Sequence, residues 1–246
     1  MTTSGGLSPA KLLDVVDAGS GSDPAERGLL LLAAARPDLD QESLPWVGLD
    51  ERDAAIVALR CATFGDSLSG RITCPACHIV LAVSMTREEL AREPGGGPVA
   101  RIELGEFAVE ARPPCGSDLL HAAAEANVAD ARLALIDRCV VEARAGSVEI
   151  DPADLPDEVL DGVGEAILAA APGAELRVEL TCAQCGHAWA PVLDPVLFMW
   201  QELSGASAQM LDDVHQLAAA YGWTEADVLS LSARRRRRYV ERLLDA

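Results

Sequence analysis

Apolar residues recur with helical spacing through the first 65 residues of the chain. A helix is predicted over residues 8–17, because serine followed by proline is a common helix start. A second helix is predicted to begin at Asp23-Pro24, for the same reason. A third is predicted to begin with Asp50 as its cap and to end at Gly65, since glycine accepts the backbone conformation of a helix terminus. This part of the chain is therefore predicted to be helical.

Short β hairpins are predicted in the middle of the chain, where β-branched residues and period-two alternation replace the helical spacing. Residues 71–85 are predicted to form two strands joined by a tight turn, and residues 175–193 repeat this arrangement. Between them, residues 101–112 alternate as a hairpin that turns at Gly105-Glu106. The three glycines at 95–97 predict a flexible turn.

Further helices are predicted between the two outer hairpins and after the second one. Helical spacing covers residues 117–126, 128–143 and 155–171, with Ser117 as the expected first cap. After the second hairpin, Asp194-Pro195 is predicted to start a long helix that runs to about residue 221, where Gly222 ends it. Two more helices complete the prediction. The expected caps are Thr224 and Ser232, and the last helix ends near Leu244.

Composition limits the class of function. Hydrophobic residues make up 50% of the chain, which is enough for a packed core, but no apolar run approaches the length of a membrane span. The first ten residues lack a signal-peptide pattern, so a cytoplasmic location is expected. The formal net charge of -19 opposes binding to nucleic acid or to an anionic membrane. Lys11 is the one lysine, and phosphate-loop, serine-elbow and zinc-protease motifs are missing, so no enzymatic activity is predicted.

Two C-x-x-C pairs are the most specific chemical signal: Cys74 with Cys77, and Cys182 with Cys185. Two such pairs, each on a hairpin, provide the four thiolates of a structural zinc site. The alternatives are two unrelated cysteine pairs or a redox pair. Redox C-x-x-C motifs normally start a helix, whereas strands are predicted here, and there are two copies. The sequence therefore predicts one structural Zn²⁺ per chain at these four cysteines. The remaining cysteines, Cys61, Cys115 and Cys139, are expected to be buried apolar residues.

The residue after each second cysteine supports this prediction. A tight turn of this kind favours a positive φ at that position, which glycine adopts readily and histidine tolerates better than most residues. Gly186 and His78 occupy the two positions. His78 as an additional metal ligand is the weaker alternative, because four thiolates already complete a zinc shell.

These elements give an α+β fold class. Helical N-terminal and C-terminal segments surround small antiparallel β hairpins that form a split zinc ribbon. The predicted division is an N-terminal helical segment (1–68), a β region with a helical insertion at about 117–171 (69–193), and a C-terminal helical tail (194–246).

An arginine run at 234–238 is the one dense basic patch. Contact with an acidic protein surface, contact with phosphate and pairing with acids of the same chain are all consistent with it. Because five consecutive arginines are expected to point all round a helix, contact with protein or internal pairing is favoured over DNA binding.

Residues 194–203, 211–218, 221–231 and 234–239 resemble the C-terminal part of the baseplate hub assembly family of T-even-type phages and related contractile injection systems. The similar features are a long helix, a Tyr-Gly-Trp turn and an arginine-rich helix that closes on tyrosine. Several members of this family also carry split C-x-x-C pairs. The resemblance covers about a fifth of the chain in this tail, and the cysteines extend it to more than half.

The resemblance implies a non-enzymatic assembly protein, or a component of the baseplate of a phage tail-like particle, with hub or spike proteins as partners. It implies a contact surface in the tail, formed by Phe198, Trp200, Trp223, Arg234, Arg235, Arg236, Arg237, Arg238 and Tyr239. The main alternative is a nucleic-acid-binding regulator that uses the zinc ribbon and the arginine run. A zinc-dependent hydrolase is a weaker third hypothesis.

Overall fold

The computed structural model of the protein describes residues 5–90 and 99–244. The glycine turn predicted at 95–97 lies outside the described residues. The described chain combines ten α-helices with ten short strands, all paired antiparallel.

Three helices form the N-terminal part: α1 (Pro9–Ala18), α2 (Pro24–Ala35) and α3 (Leu49–Phe64). The Ser8 side chain caps α1, and Asp23 forms a reciprocal capping box with Glu26 at the start of α2, as the sequence predicts. The prediction that Asp50 caps α3 is wrong, because Gly48 occupies the cap position. Gly65 ends α3 with a φ of 96°.

A long hairpin follows α3. Strands β1 (Ser67–Thr73) and β2 (Val80–Thr86) pair over their whole length, and the short helix α4 (Arg87–Leu90) follows. The predicted hairpin at 71–85 is therefore confirmed and is longer at its base.

The next part is a four-stranded sheet covered by helices. Its elements are β3 (Ala100–Leu104), β4 (Phe107–Ala111), α5 (Gly116–Ala123), α6 (Val128–Cys139), β5 (Val140–Ala145), β6 (Val148–Glu149) and α7 (Asp157–Ala170). The strand order is β3-β4-β5-β6. A core of apolar side chains from β4, β5, α6 and α7 packs between the sheet and the helices.

Two predictions in this region are wrong. The helix predicted over 128–143 ends at Cys139, and the chain continues as β5, which pairs with β4. The β-branched Val140 and Val141 favour the extended backbone, and Ala143 is buried in the core of the sheet. The predicted cap Ser117 is also wrong, because Cys115 holds that position and Asp118 completes its capping box.

The second cysteine hairpin and three helices complete the chain. Strands β7 (Leu176–Arg177) and β10 (Val192–Leu193) pair at its base, and β8 (Leu180–Thr181) pairs with β9 (Ala188–Trp189) beyond them. Helix α8 (Pro195–Tyr221) starts at the Asp194 cap and ends at Gly222, which has a φ of 69°. Helices α9 (Glu225–Ser230) and α10 (Ala233–Leu244) follow, as predicted.

Helix α8 packs against the three N-terminal helices. Its residues Val196, Met199 and Leu203 are buried in one core with side chains of α1, α2 and α3. A bidentate ion pair reinforces this packing: the Arg60 guanidinium donates to Glu202 of α8 at 2.7 and 2.6 Å. The division at 1–68, 69–193 and 194–246 stays a prediction, but the first and last of these segments share a hydrophobic core.

Asp118 anchors the sheet part. Its carboxylate is fully buried and accepts hydrogen bonds from Arg112, Arg138 and the Cys115 backbone. Desolvation raises the pKa of Asp118, but the hydrogen bonds from Arg112 and from Cys115 outweigh this effect and hold the pKa well below its usual range. The carboxylate thus ties α5 to β4 and α6.

Replacing the Asp118 carboxylate tests how much its ion pairs stabilise the fold. Asp118→Asn is expected to lower the free energy of unfolding at pH 7 by about 2 to 4 kcal/mol, because two arginines lose their charged partner. A depressed pKa stabilises the fold above the ordinary carboxyl pKa, so the difference between variant and wild type should shrink as the pH falls below about 4. Urea unfolding at several pH values measures both effects. The matched control Asp137→Asn, on the exposed side of α6, should change stability by less than about 0.5 kcal/mol.

Candidate metal centre

Both cysteine pairs lie in the turns of their hairpins. Cys74 follows the last residue of β1, and Cys182 follows the last residue of β8. The bases of the two hairpins contact one shared apolar cluster, which contains Leu68 of β1, Leu176 of β7 and Cys61 of α3. Phe198 of α8 packs against the same cluster. This contact brings the two turns together, although 104 residues separate them in sequence.

The two turns have the same backbone hydrogen bonds. The Cys74 N–H donates to Ile79 O at 2.9 Å, and the Cys182 N–H donates to His187 O at 2.8 Å. The Cys74 and Cys182 carbonyls accept from His78 N and Gly186 N, both at 2.9 Å. The similarity between the two cysteine segments in sequence therefore corresponds to the same local structure.

The predicted positive φ is confirmed at both turns. It is 60° at His78 and 72° at Gly186. Within residues 5–90 and 99–244, His78 is the one non-glycine residue with a positive φ. The requirement of the turn for this conformation explains why histidine and glycine stand at these positions.

The four sulfur atoms converge on one point. All four Sγ atoms lie within 4.8 Å of one another. Across the two hairpins, Cys74 Sγ is 3.8 Å from Cys185 Sγ, and Cys77 Sγ is 3.7 Å from Cys182 Sγ. A tetrahedral zinc ion with Zn–S bonds of about 2.3 Å separates its sulfur ligands by about 3.8 Å. The four side chains therefore fit a tetrahedral thiolate shell.

Backbone N–H groups polarise this cluster. The backbone N–H groups of Cys185 and Gln184 lower the pKa of Cys182 to about 7 despite the cost of desolvation. The Ile79 N–H acts in the same direction on Cys77, but desolvation and the neighbouring thiols outweigh it and raise the pKa of Cys77 to about 12. A cation bound by all four sulfurs must therefore displace protons, so its affinity falls as the pH falls.

The four cysteines could hold a metal ion through sulfur ligands alone. Among the described residues, no histidine or carboxylate belongs to the sulfur cluster, and His78 is not part of it. Four protein thiolates fill a tetrahedral zinc shell and leave no position for water or substrate. Cys74 and Cys182 are buried, whereas Cys77 and Cys185 are exposed, so the cluster lies at the surface.

The remaining cysteines lie where the sequence predicts them. Cys61, Cys115 and Cys139 are buried, and Cys139 is completely inaccessible. Burial raises the pKa of the Cys139 thiol to about 12, as for an unreactive core residue.

Not all residues of the expected contact surface are accessible. Trp200 is only 8% exposed and stacks beneath the Arg27 guanidinium, against Gly19, where a side chain would collide with its ring. Phe198 is half-buried beside the hairpin bases. Trp200 is thus a core residue in the isolated chain.

The five arginines of the run point to different sides of α10, because consecutive helical residues are about 100° apart. Arg236 is 4% exposed and faces inward, where it pairs with Asp213 of α8 and donates to Leu231 O. The other arginines are exposed: Arg234, Arg235, Arg237 and Arg238. Tyr239 and Trp223 are half-buried and pack with Tyr221 in an aromatic cluster.

The chain was compared with known proteins. The family model described as "T4 bacteriophage base plate protein" matches residues 37–196, about two-thirds of the chain. The chain belongs to the T4 bacteriophage base plate protein family. No curated protein and no solved structure matches it.

The matched part of this base plate protein contains both cysteine pairs, the four-stranded sheet and the start of α8. Residues 197–246, which carry most of the tail resemblance, lie outside the match. Among the described residues, no helix is both long and apolar enough to cross a membrane.

The backbone role of His78 leads to a direct test. His78→Gly is expected to keep its metal content and its thermal stability, or to gain up to about 1 kcal/mol, because glycine adopts a positive φ without strain. His78→Val is expected to lose about 1 to 2 kcal/mol, because a β-branched residue is strained there. Thermal melting and metal analysis of both variants measure these effects. Loss of metal in His78→Gly would instead assign the imidazole as a ligand.

Proposed function

We propose that Cys74, Cys77, Cys182 and Cys185 hold one structural Zn²⁺ and that the two hairpins form a split zinc ribbon. The convergence of four sulfurs at tetrahedral spacing carries this proposal. The matched turns support it, because each presents two cysteines from a rigid hydrogen-bonded backbone. Zinc is favoured over harder cations because all the ligands are thiolates.

In this proposal the metal links the two hairpins and so closes the long loop of chain between them. Residues 78–181 lie between the two pairs and contain the four-stranded sheet with α5, α6 and α7. Closing a long loop removes much conformational entropy from the unfolded chain. The stabilisation of the fold by such a metal link therefore grows with the length of the loop. The free energy of metal binding then contributes to the free energy of folding.

We propose further that the protein is a non-enzymatic assembly factor or structural component of the baseplate hub of a contractile phage tail-like particle. Membership of the base plate protein family supports a structural or assembly role. The saturated thiolate shell supports the absence of catalysis at the metal. The partners in this proposal are hub or spike proteins, and incorporation into the particle follows from such contacts.

The proposed partner surface lies in the C-terminal helices. It comprises the aromatic cluster of Tyr221, Trp223 and Tyr239 and the exposed arginines of α10. Aromatic and arginine side chains are the residues that interfaces favour. A regulator that binds nucleic acid with the same arginines is the second candidate, but the net charge of -19 opposes it.

The zinc site is tested by metal content and stability. Purified protein is expected to contain one zinc per chain and to release it on acidification, because the thiolates become protonated. Cys182→Ser is expected to lose the metal and to melt about 10 °C lower or more, since structural zinc contributes several kcal/mol. Cys139→Ser is the matched control, because it changes a buried cysteine outside the cluster and should keep the metal. Equal metal content in Cys182→Ser and wild type would refute the site.

The assembly role is tested in the native host. Deletion of the gene is expected to abolish assembled contractile particles in electron micrographs, and the intact gene should restore them. Complementation by Cys182→Ser should fail or yield few particles, whereas Cys139→Ser should restore them if that variant accumulates normally. Particles of normal number and form after deletion would contradict the assembly role and favour the hypothesis of a nucleic-acid-binding regulator.

A further inference from the structure

The outward face of α10 is an unpaired cationic stripe. Arg234, Arg238 and Arg242 follow one another at intervals of four residues, so they lie on one side of the helix. All three are exposed, and Arg235 and Arg237 flank them. Within the described part of the chain, Arg236 is the one arginine of α10 in an ion pair. We call Arg234, Arg238 and Arg242 the cationic stripe.

Pairing within the chain does not account for this stripe. Like charges at i and i+4 destabilise a helix, so Arg234 and Arg238 weaken α10, whereas Arg242 lies in the last turn, where a positive charge is favourable. The chain has 39 acidic residues, yet the fold places none of those described in an ion pair with the stripe. The stripe therefore presents positive charge outward from a strongly negative protein.

Helix α7 carries the complementary arrangement. Asp157, Asp161 and Glu165 are exposed and also follow one another at intervals of four residues. Residues 151–165 contain six exposed acids and no basic residue. We call Asp157, Asp161 and Glu165 the acidic stripe.

Local interactions explain little of the acidic stripe. Asp157 stabilises the N-terminus of α7 through the helix dipole, but Glu165 lies two turns further on, where that effect has faded. Asp161 pairs with Arg132, and both side chains are largely exposed, so this ion pair is weak. Most of the acidic stripe is thus available for another contact.

We propose that the cationic stripe of one copy binds the acidic stripe of a second copy of this chain. Charges four residues apart are about 6 Å apart along each helix, so two adjacent helices can align all three opposite pairs. Two copies related by a two-fold axis form the contact twice, and a head-to-tail arrangement leads to a ring. This inference does not depend on the metal. It competes with the proposed hub or spike contact for the exposed arginines of α10, so a wild type that stays monomeric would leave those arginines to the hub or spike partner.

A second copy fits better than a nucleic acid. The acidic stripe matches the cationic stripe in spacing and length, whereas a nucleic acid extends beyond it towards the negative remainder of the protein. At physiological salt the screening length is about 8 Å, so contacts between the stripes persist while repulsion between the two net charges is largely screened.

Charge reversal tests the proposal. The first variant is Arg234→Glu with Arg238→Glu, and the second is Asp161→Arg with Glu165→Arg; Asp157 is retained because it stabilises the start of α7. Their combination keeps the net charge of the wild type. Sedimentation and light scattering over a range of protein concentrations, at about 0.15 M salt, give the mass in solution.

The wild type is expected to associate above the monomer mass, and each double variant alone should associate about tenfold or more weakly. An equimolar mixture of the two double variants, and the fourfold variant alone, should associate again. The matched control is Arg71→Glu with Arg87→Glu, two exposed arginines outside the stripes, and it should behave as wild type. Unchanged circular dichroism and metal content show that each variant is folded.

Three results would overturn the proposal. The first is a wild type that stays monomeric at the highest concentration. The second is association that survives both charge reversals, and the third is failure of the fourfold variant to recover it. A monomeric wild type that binds duplex DNA or polyglutamate through Arg234 and Arg238 would assign the stripe to that polyanion instead.

Discussion

Four sulfur atoms lie together although the two turns that carry them are 104 residues apart in sequence. Four thiols at this spacing cannot all ionise without a cation, because like charges at about 4 Å repel strongly. The chain nevertheless holds them together with matched turns and a shared apolar cluster beneath both hairpins. A fold that holds four thiols this close together is consistent with a bound metal, whose positive charge replaces the protons that the thiols lose.

The scaffold around this centre has two parts. Helices α1, α2 and α3 pack with α8, so the ends of the chain form one helical core. The four-stranded sheet with α6 and α7 has a core of its own. Arg60 joins the helical core to the first hairpin, because it binds Glu202 of α8 and also donates to Gly65 O and Ser67 O at the start of β1. The cysteine turn and this buried arginine thus lie at opposite ends of the first hairpin.

Local signals in the sequence predicted most elements. Caps at Ser8, Asp23 and Asp194, the turn at Gly105 and the positive φ at His78 depend on neighbouring residues, so they can be inferred without the fold. Strand β5 was missed because its pairing with β4 overrides a helical pattern. That Trp200 and Arg236 face inward depends on contacts with distant residues such as Gly19 and Asp213. The buried Asp118 network was missed for the same reason. The convergence of the cysteines was inferred from the number of ligands alone, since no local signal shows that two distant hairpins meet.

The most direct test of the central claim is X-ray absorption at the zinc edge of protein purified without added metal. Four cysteines that share one Zn²⁺ should give a single shell of four sulfur ligands at about 2.3 Å, with no nitrogen or oxygen ligand. A shell with two sulfurs and lighter atoms would show that the two pairs do not share one ion. Protein without zinc would contradict the metal centre altogether and leave the four cysteines as thiols held together by the fold alone.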